Sequence, residues 1–252
     1  EDGMAENETL GTIRALRSIH GDFSTQRIAD SDIETILDVA TRAANASNQQ
    51  GYAIIVIDDP KRMQSLFGYE ASHALVFCVD TFRLNETARH MGRWYAENGI
   101  TTFVTGSVDA ALVAQTAVIA AKSLGIDSLV TNGLHRKKLD DVCRLLNLPD
   151  KGCFPLIAVA FGYPRNPVTV KKGRLGADFV AHRGRYTPLT PEQHERLITE
   201  CDNPEKHIFM IDDWKEKGYA HYLDWFFDAW ISPIPDEKNR EIEDQMRSGG
   251  FL

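Results

Sequence analysis

From Ser107 to Leu124 the chain repeats alanine at 110, 111, 114, 117, 120 and 121, and Gly125 follows directly. That spacing predicts a helix with a smooth face of small residues, ended by the glycine. Such a face lets another element approach closely, so this helix has to pack in a core or against a second copy across a dimer axis. The flanking segments show what surrounds it. Leu10, Ile13, Leu16 and Ile19 recur at helical spacing and predict a helix over 9–19. Asp30 and Ser31 open a second helix, with Ser31 and Glu34 as a capping box and Ile33, Ile36, Leu37, Ala40, Ala43 and Ala44 on one face. Leu139, Val142, Cys143 and Leu146 mark another, stopped before Pro149.

Four apolar runs read as strands: Ala53–Ile57, Ala74–Val79, Ser128–Thr131 and Leu156–Phe161. The run at 74–79 is apolar throughout, as a strand covered on both faces would be. Helices and strands interleave without regular alternation, and no G-x-G-x-x-G follows any strand, which argues against a doubly wound sheet. The pattern is that of an α+β fold, a sheet sandwiched by helices. At 252 residues the chain suits one large domain or a core with an appendage.

After Pro164 the character changes. Arg165, Lys171, Lys172, Arg174, Arg183 and Arg185 face a single acid, Asp178, in a chain whose net charge is −8. Beyond, 191–200 predicts a short helix, and Tyr219, Tyr222, Leu223, Phe226 and Trp230 fall at helical spacing. Six aromatics between 219 and 230 are too many to leave in water. Residues 232–252 are polar and interrupted by proline, so an extended or disordered arm is expected. The expected division is a domain over 1–190 and a C-terminal helical extension and arm over 191–252.

The acid excess argues against broad binding of nucleic acid or anionic membranes. Apolar runs fall short of the ~20 residues of a membrane helix, and the polar start through Glu8 lacks the character of a signal peptide, so a cytoplasmic protein is expected. Cys78, Cys143, Cys153 and Cys201 form no C-x-x-C pair and read as small buried apolar residues rather than metal ligands. The elbow of serine hydrolases, the H-E-x-x-H motif and the Walker A loop are missing.

What remains is a set of polar segments at predicted element ends. Arg17-Ser18 closes the first helix; Asn45, Ser47, Asn48 and Gln50 follow the second; Lys172 and Arg174 lie in the basic run. Each alone suits a solvated surface or a helix cap. Their order carries more. Arg17-Ser18, Ala44-Asn45-Ala46-Ser47-Asn48-Gln49-Gln50-Gly51-Tyr52 before the first strand, Ala71 to Cys78 entering the second, Asp109-Ala110-Ala111 through Gly125, Gly162-Tyr163-Pro164 and Lys172-Gly173-Arg174-Leu175 together resemble the nitroreductase family. The resemblance spans about two thirds of the chain, from Thr9 to Tyr186.

The resemblance implies a nitroreductase-like sheet and a homodimer with flavin mononucleotide (FMN) at the subunit interface. Arg17, Ser18, Lys172 and Arg174 would meet the phosphate and ribityl chain. Asn45, Ser47 and Asn48 would lie beside the ring and ribityl chain, and Gln64 opposite the pyrimidine edge, where amides match donors and acceptors. Asn132-Gly133 aligns with the turn whose backbone N–H reaches flavin N5; as local sequence it is equally an ordinary turn dipeptide. Hydride would pass from NADH or NADPH to N5 and on to a small-molecule acceptor such as a nitroaromatic or quinone, without a side-chain acid or base. Residues 81–106 would form an excursion or lid, with Trp94 and Tyr95 against the substrate. The family usually carries basic residues where this chain has Leu16 and His20, with Arg14 a possible substitute. Rival readings are a reductive dehalogenase or ene-reductase on the same fold, a flavin-binding module of low turnover, and a flavin-free interaction protein.

Overall fold

The computed structural model describes residues 7–95 and 99–252; the polar start at 1–6 and residues 96–98 of the expected lid lie outside the described residues. The chain divides into two compact units, one made of residues up to Pro167 together with Asp236–Leu252, the other of Val168–Pro235. The division expected at 190 therefore falls at 167, and the last segment returns to the first unit.

In the first unit the elements run α1 (Glu8–Arg14), α2 (Asp30–Ala40), β1 (Tyr52–Ile57), α3 (Pro60–Phe67), β2 (His73–Asp80), α4 (Phe82–His90), α5 (Ile100–Ser123), β3 (Asp127–Thr131), α6 (Leu139–Leu146) and β4 (Cys153–Gly162). The second unit contributes α7 (Ala177–Val180), α8 (Pro191–Asp202) and α9 (Tyr222–Trp225), before α10 (Asp236–Ser248) closes the chain in the first unit. The four strands form one antiparallel sheet in the order β1-β2-β4-β3.

Strand side chains alternate between faces, and each face is covered. Leu75, Phe77, Val159 and Phe161 meet Ile33 and Ile36 of α2 and the alanine face of α5. Ala74, Val76, Cys78, Ala158 and Ala160 meet Met63, Leu66 and Phe67 of α3 and Leu139, Val142 and Leu146 of α6. The α+β sandwich is as expected. Where α5 crosses β2 it has Gly106, since a Cβ there would stand 2.6 Å from Val79 Cγ1. By length and composition α5 could cross a membrane, at a mean hydropathy of 1.5, although shorter runs were expected; Ala110, Val113, Ala117 and Ala121 are buried in the sheet contact instead.

Four local expectations are corrected. The first helix stops at Arg14 rather than Ile19, because residues beyond Leu16 pair with β3: Ile19 N–H donates to Ser128 O at 3.0 Å. α2 begins without a capping box; Ala29 is its N-cap, and no side chain caps it. β4 begins at Cys153, before Pro155, because a register shift opposite Phe77 and Cys78 accommodates a proline that cannot donate to the ladder. The arm expected over 232–252 contains α10. Its Glu241 accepts the Leu139 N–H, Gly249 O accepts the Gly152 N–H at 2.9 Å, and Phe251 is buried against Phe103.

The second unit has its own small core of Cys201, Phe209, Trp214, Tyr222 and Trp225. The aromatic run thus buries part of itself at home, while Phe227 and Trp230 stay exposed on the π turn at 226–230. Thr190 and Gln193 make a complete capping box on α8.

Candidate functional site

The expected site residues of the first unit fall into two groups. One lies where β3 begins and β4 ends. Leu16–His20 runs extended beside β3, with a bridge between Ser18 and Ser128. Alternation turns Arg17 and Ile19 inward and leaves Ser18 and His20 exposed. Arg17 donates from Nε (3.1 Å) and Nη2 (2.7 Å) to Oδ2 of Asp127, and Lys122 Nζ donates to Oδ1 at 2.7 Å. Asp127 is 3% exposed. Burial alone would raise its carboxyl pKa, but the hydrogen bonds from Arg17 and Lys122 outweigh burial and hold it below the usual carboxylate range. Leu16 is partly buried and packs against the core cluster that includes the α5 alanines.

Gln64, on α3, opens into a cleft of about 360 Å³ that it lines with Gly21, Arg27, Tyr69 and Arg165. Asn132 is exposed at the end of β3, whereas Gly133 is buried, and its N–H is taken by Thr131 Oγ1 at 3.0 Å. Of the two, Asn132 is the residue presented outward.

The second group lies at the other end of the sheet, where β1 begins and β2 ends. Ser47, Asn48 and Gln50 all adopt left-handed backbone conformations, with φ near 51°, 53° and 53°. Such φ values are uncommon outside glycine and cost about 1–3 kcal/mol each unless the surroundings impose them. Here they do: Ala46 N–H donates to Oδ1 of buried Asp109 at 2.9 Å, and Gln50 N–H to Asn45 Oδ1 at 3.1 Å. Tyr95 Oη donates to Gln49 Oε1 at 3.2 Å, tying the excursion to this loop, while Trp94 stands 85% exposed. Ser47, Gln49, Tyr95, Thr102 and Asp109 line a cleft of about 310 Å³.

One helix measures the gap between the groups. Asp109, holding the loop, and Lys122, beside Arg17, are thirteen residues apart on α5, roughly 20 Å at ~1.5 Å per residue. The structure therefore does not bring Arg17 and Ser18 together with Asn45, Ser47 and Asn48 on one chain.

Lys172 and Arg174 belong to the second unit and line different clefts there. Lys172 Nζ lies 5.3 Å from the Phe209 ring centroid, a cation–π contact. Arg174 Nη1 donates to Gly173 O at 2.8 Å. Gly173 between them is confined, since a Cβ would come within 1.9 Å of Lys206 O.

Asp109 and Asp127 are the site residues that sequence reasoning passed over. Asp109 had a signal: an acid in line with Val113 and Ala117 on the apolar face of a helix calls for a buried donor. Asp127 had none, because its partner Arg17 lies 110 residues away. Cys78, Cys143 and Cys201 have thiols held above their ordinary value. A hydrogen bond with Cys153, then burial, pushes the Cys78 thiol well up, and burial takes Cys143 to about 11. Among the described residues no three His, Cys, Asp or Glu side chains group as metal ligands.

Comparison with known proteins places this arrangement. The model of the nitroreductase family matches residues 64–163. The chain is 33% identical over 255 residues to an FMN reductase (NADPH) of Bacillus subtilis (strain 168), covering 97% of this chain and 98% of that protein. It is 32% identical over 213 residues to a Cr(VI) reductase of Pseudomonas sp. (strain G-1), covering 78% and 84%. Among solved structures, NfrA1 of B. megaterium superposes with a TM-score of 0.80 at 26% identity, over 98% of this chain and all of that one. The chain belongs to the nitroreductase family.

Proposed function

We propose that this protein is an NAD(P)H-dependent FMN oxidoreductase that reduces small-molecule acceptors, nitroaromatics and quinones among them, as a homodimer with its flavin between subunits. The observation that carries the reading is the separation of two polar groups by roughly 20 Å along α5. Both groups were expected on the ribityl chain of one flavin, and they can meet there only if each subunit lends one of them. A second copy also accounts for Ile100, Val104, Val108 and Leu112, a stripe at helical spacing on α5 whose members are 42–55% exposed.

The residues present fit FMN. Exposed hydroxyls and amides at Ser18, Ser47 and Asn48 match a polyol chain. Bound FMN supplies the hydride exchange at N5 between NAD(P)H and the acceptor. The chain's own part is positional. Asp109 holds the loop in which Ser47 and Asn48 are left-handed and Asn45 is extended, Asn132 presents the outward face of its turn, and Trp94 and Tyr95 border the acceptor.

A visible spectrum of the purified protein before and after anaerobic NADPH or NADH tests this. A yellow protein that bleaches supports the proposal, and a colourless protein that gains no thermal stability from added FMN rejects it. The low-turnover flavin module is the second reading, favoured by Leu16, an uncharged residue packed against the core where a cation was expected. It predicts a yellow protein that neither nicotinamide bleaches.

A further inference from the structure

We infer that Asp127 is a positioning residue for the cofactor phosphate, acting through Arg17 to fix the Leu16–His20 segment so that Ser18 and His20 face outward. The inference rests on the proposed FMN reading and goes one step beyond it. Arg17 was expected to contact the phosphate itself, yet its Nε and Nη2 are both committed to Asp127 Oδ2. Lys122 fills Oδ1, so a single 3%-exposed carboxylate neutralises one of two cations and ties three elements together: the segment, the end of α5 and the start of β3. The geometry spends Arg17 as a strut. Ser18, the next residue, is bridged to Ser128 and exposed. Without the carboxylate, Arg17 and Lys122 would stand side by side with like charge, and the segment would lose its lateral anchor.

Charge and position predict opposite results here. Asp127→Asn deletes a negative charge near the place assigned to a dianion, so electrostatics alone would tighten FMN. A positioning role predicts the reverse, confined to the phosphate. The experiment is equilibrium dialysis of the full-length protein against FMN and, separately, against riboflavin, which lacks the phosphate. In Asp127→Asn the preference for FMN over riboflavin should fall by roughly tenfold or more while riboflavin binding stays near wild type. A preference that is unchanged or increased overturns the inference, as does equal loss of both flavins, which would mark a purely structural role. Should Asp127→Asn fail to fold, Arg17→Lys serves: it keeps the charge but loses the two-donor fork, and a wild-type preference in that variant overturns the inference. Wild-type protein that binds FMN and bleaches with NADPH leaves the oxidoreductase reading standing whatever Asp127 does. Wild-type protein with no preference for FMN overturns this inference, and one that binds neither flavin overturns both.

Discussion

Gly133 shows how a single missing side chain shapes the site. A Cβ there would stand 2.3 Å from the Phe67 carbonyl oxygen and 2.8 Å from Phe67 Cβ. The atoms it would meet are the carbonyl group and Cβ of buried Phe67, none of them the far end of a flexible side chain that could yield. Gly133→Ala should therefore push the turn off α3, destabilise the protein by about 1–3 kcal/mol and displace Asn132. A thermal melt and stopped-flow bleaching by NADPH would register both effects, and a variant that melts and bleaches like wild type would refute the account. The Asn132-Gly133 pair was visible in the sequence as a turn, but the reason for glycine was not, because Phe67 lies 66 residues earlier. Asp109 and Asp127 are similar cases. Their partners Ala46 and Arg17 lie 63 and 110 residues away, so local pattern names neither partner, although the apolar face around Asp109 does call for one. Ser18, Asn45 and Asn48 were expected from the order of motifs along the chain, a reading that needs no such pairing.

Elements were legible where periodicity and packing agree. β1, β2, β3 and α6 lie within a few residues of expectation because each has an apolar pattern that its neighbours bury, whereas α5 ends as expected but begins at Ile100, seven residues inside the expected excursion. Expectation failed where tertiary contacts overrode local pattern: Ile19 fits a helical stripe yet is buried by extended pairing with β3, and polar α10 survives on docking contacts to α6 and the Phe103 region. In the second unit one element end is tuned by pH. His221, the N-cap of α9, lies with Nδ1 2.6 Å from Asp202 Oδ2, while Asp202 Oδ1 accepts the Tyr222 N–H at 2.8 Å. The hydrogen bond to Asp202 raises the His221 pKa above its ordinary value. A base with a raised folded-state pKa contributes stability fully below its unfolded value of about 6.5 and loses that contribution as pH climbs through the folded value. Tryptophan fluorescence, with Trp214, Trp225 and Trp230 in this unit, should show unfolding at progressively lower temperature as pH rises from about 6.5. His221→Asn should flatten that dependence, and an equally steep slope in the variant would count against the ion pair as its source.

At the scale of the whole molecule, the sequence disclosed the layers but neither the strand order β1-β2-β4-β3 nor the distance between the two polar groups. Apolar pattern says that a surface is covered; it does not say by which element, and still less on which subunit. The proposed division of labour between copies rests on the length of α5 between Asp109 and Lys122. It makes a prediction that no single-chain site can meet. A Ser18→Ala, Asp127→Asn protomer keeps the loop at 45–50 intact; an Asn45→Ala, Asn48→Ala protomer keeps the Leu16–His20 segment intact. Each variant alone has two defective sites per dimer and should reduce acceptors poorly. A mixed dimer has one site with both defects and one with neither, because each site draws one group from each chain. Unfolding and refolding an equimolar mixture should make about half the dimers mixed and restore about a quarter of wild-type turnover. Activity that stays at the level of the separate variants, with mixed dimers demonstrated by differently tagged chains, would overturn the shared site.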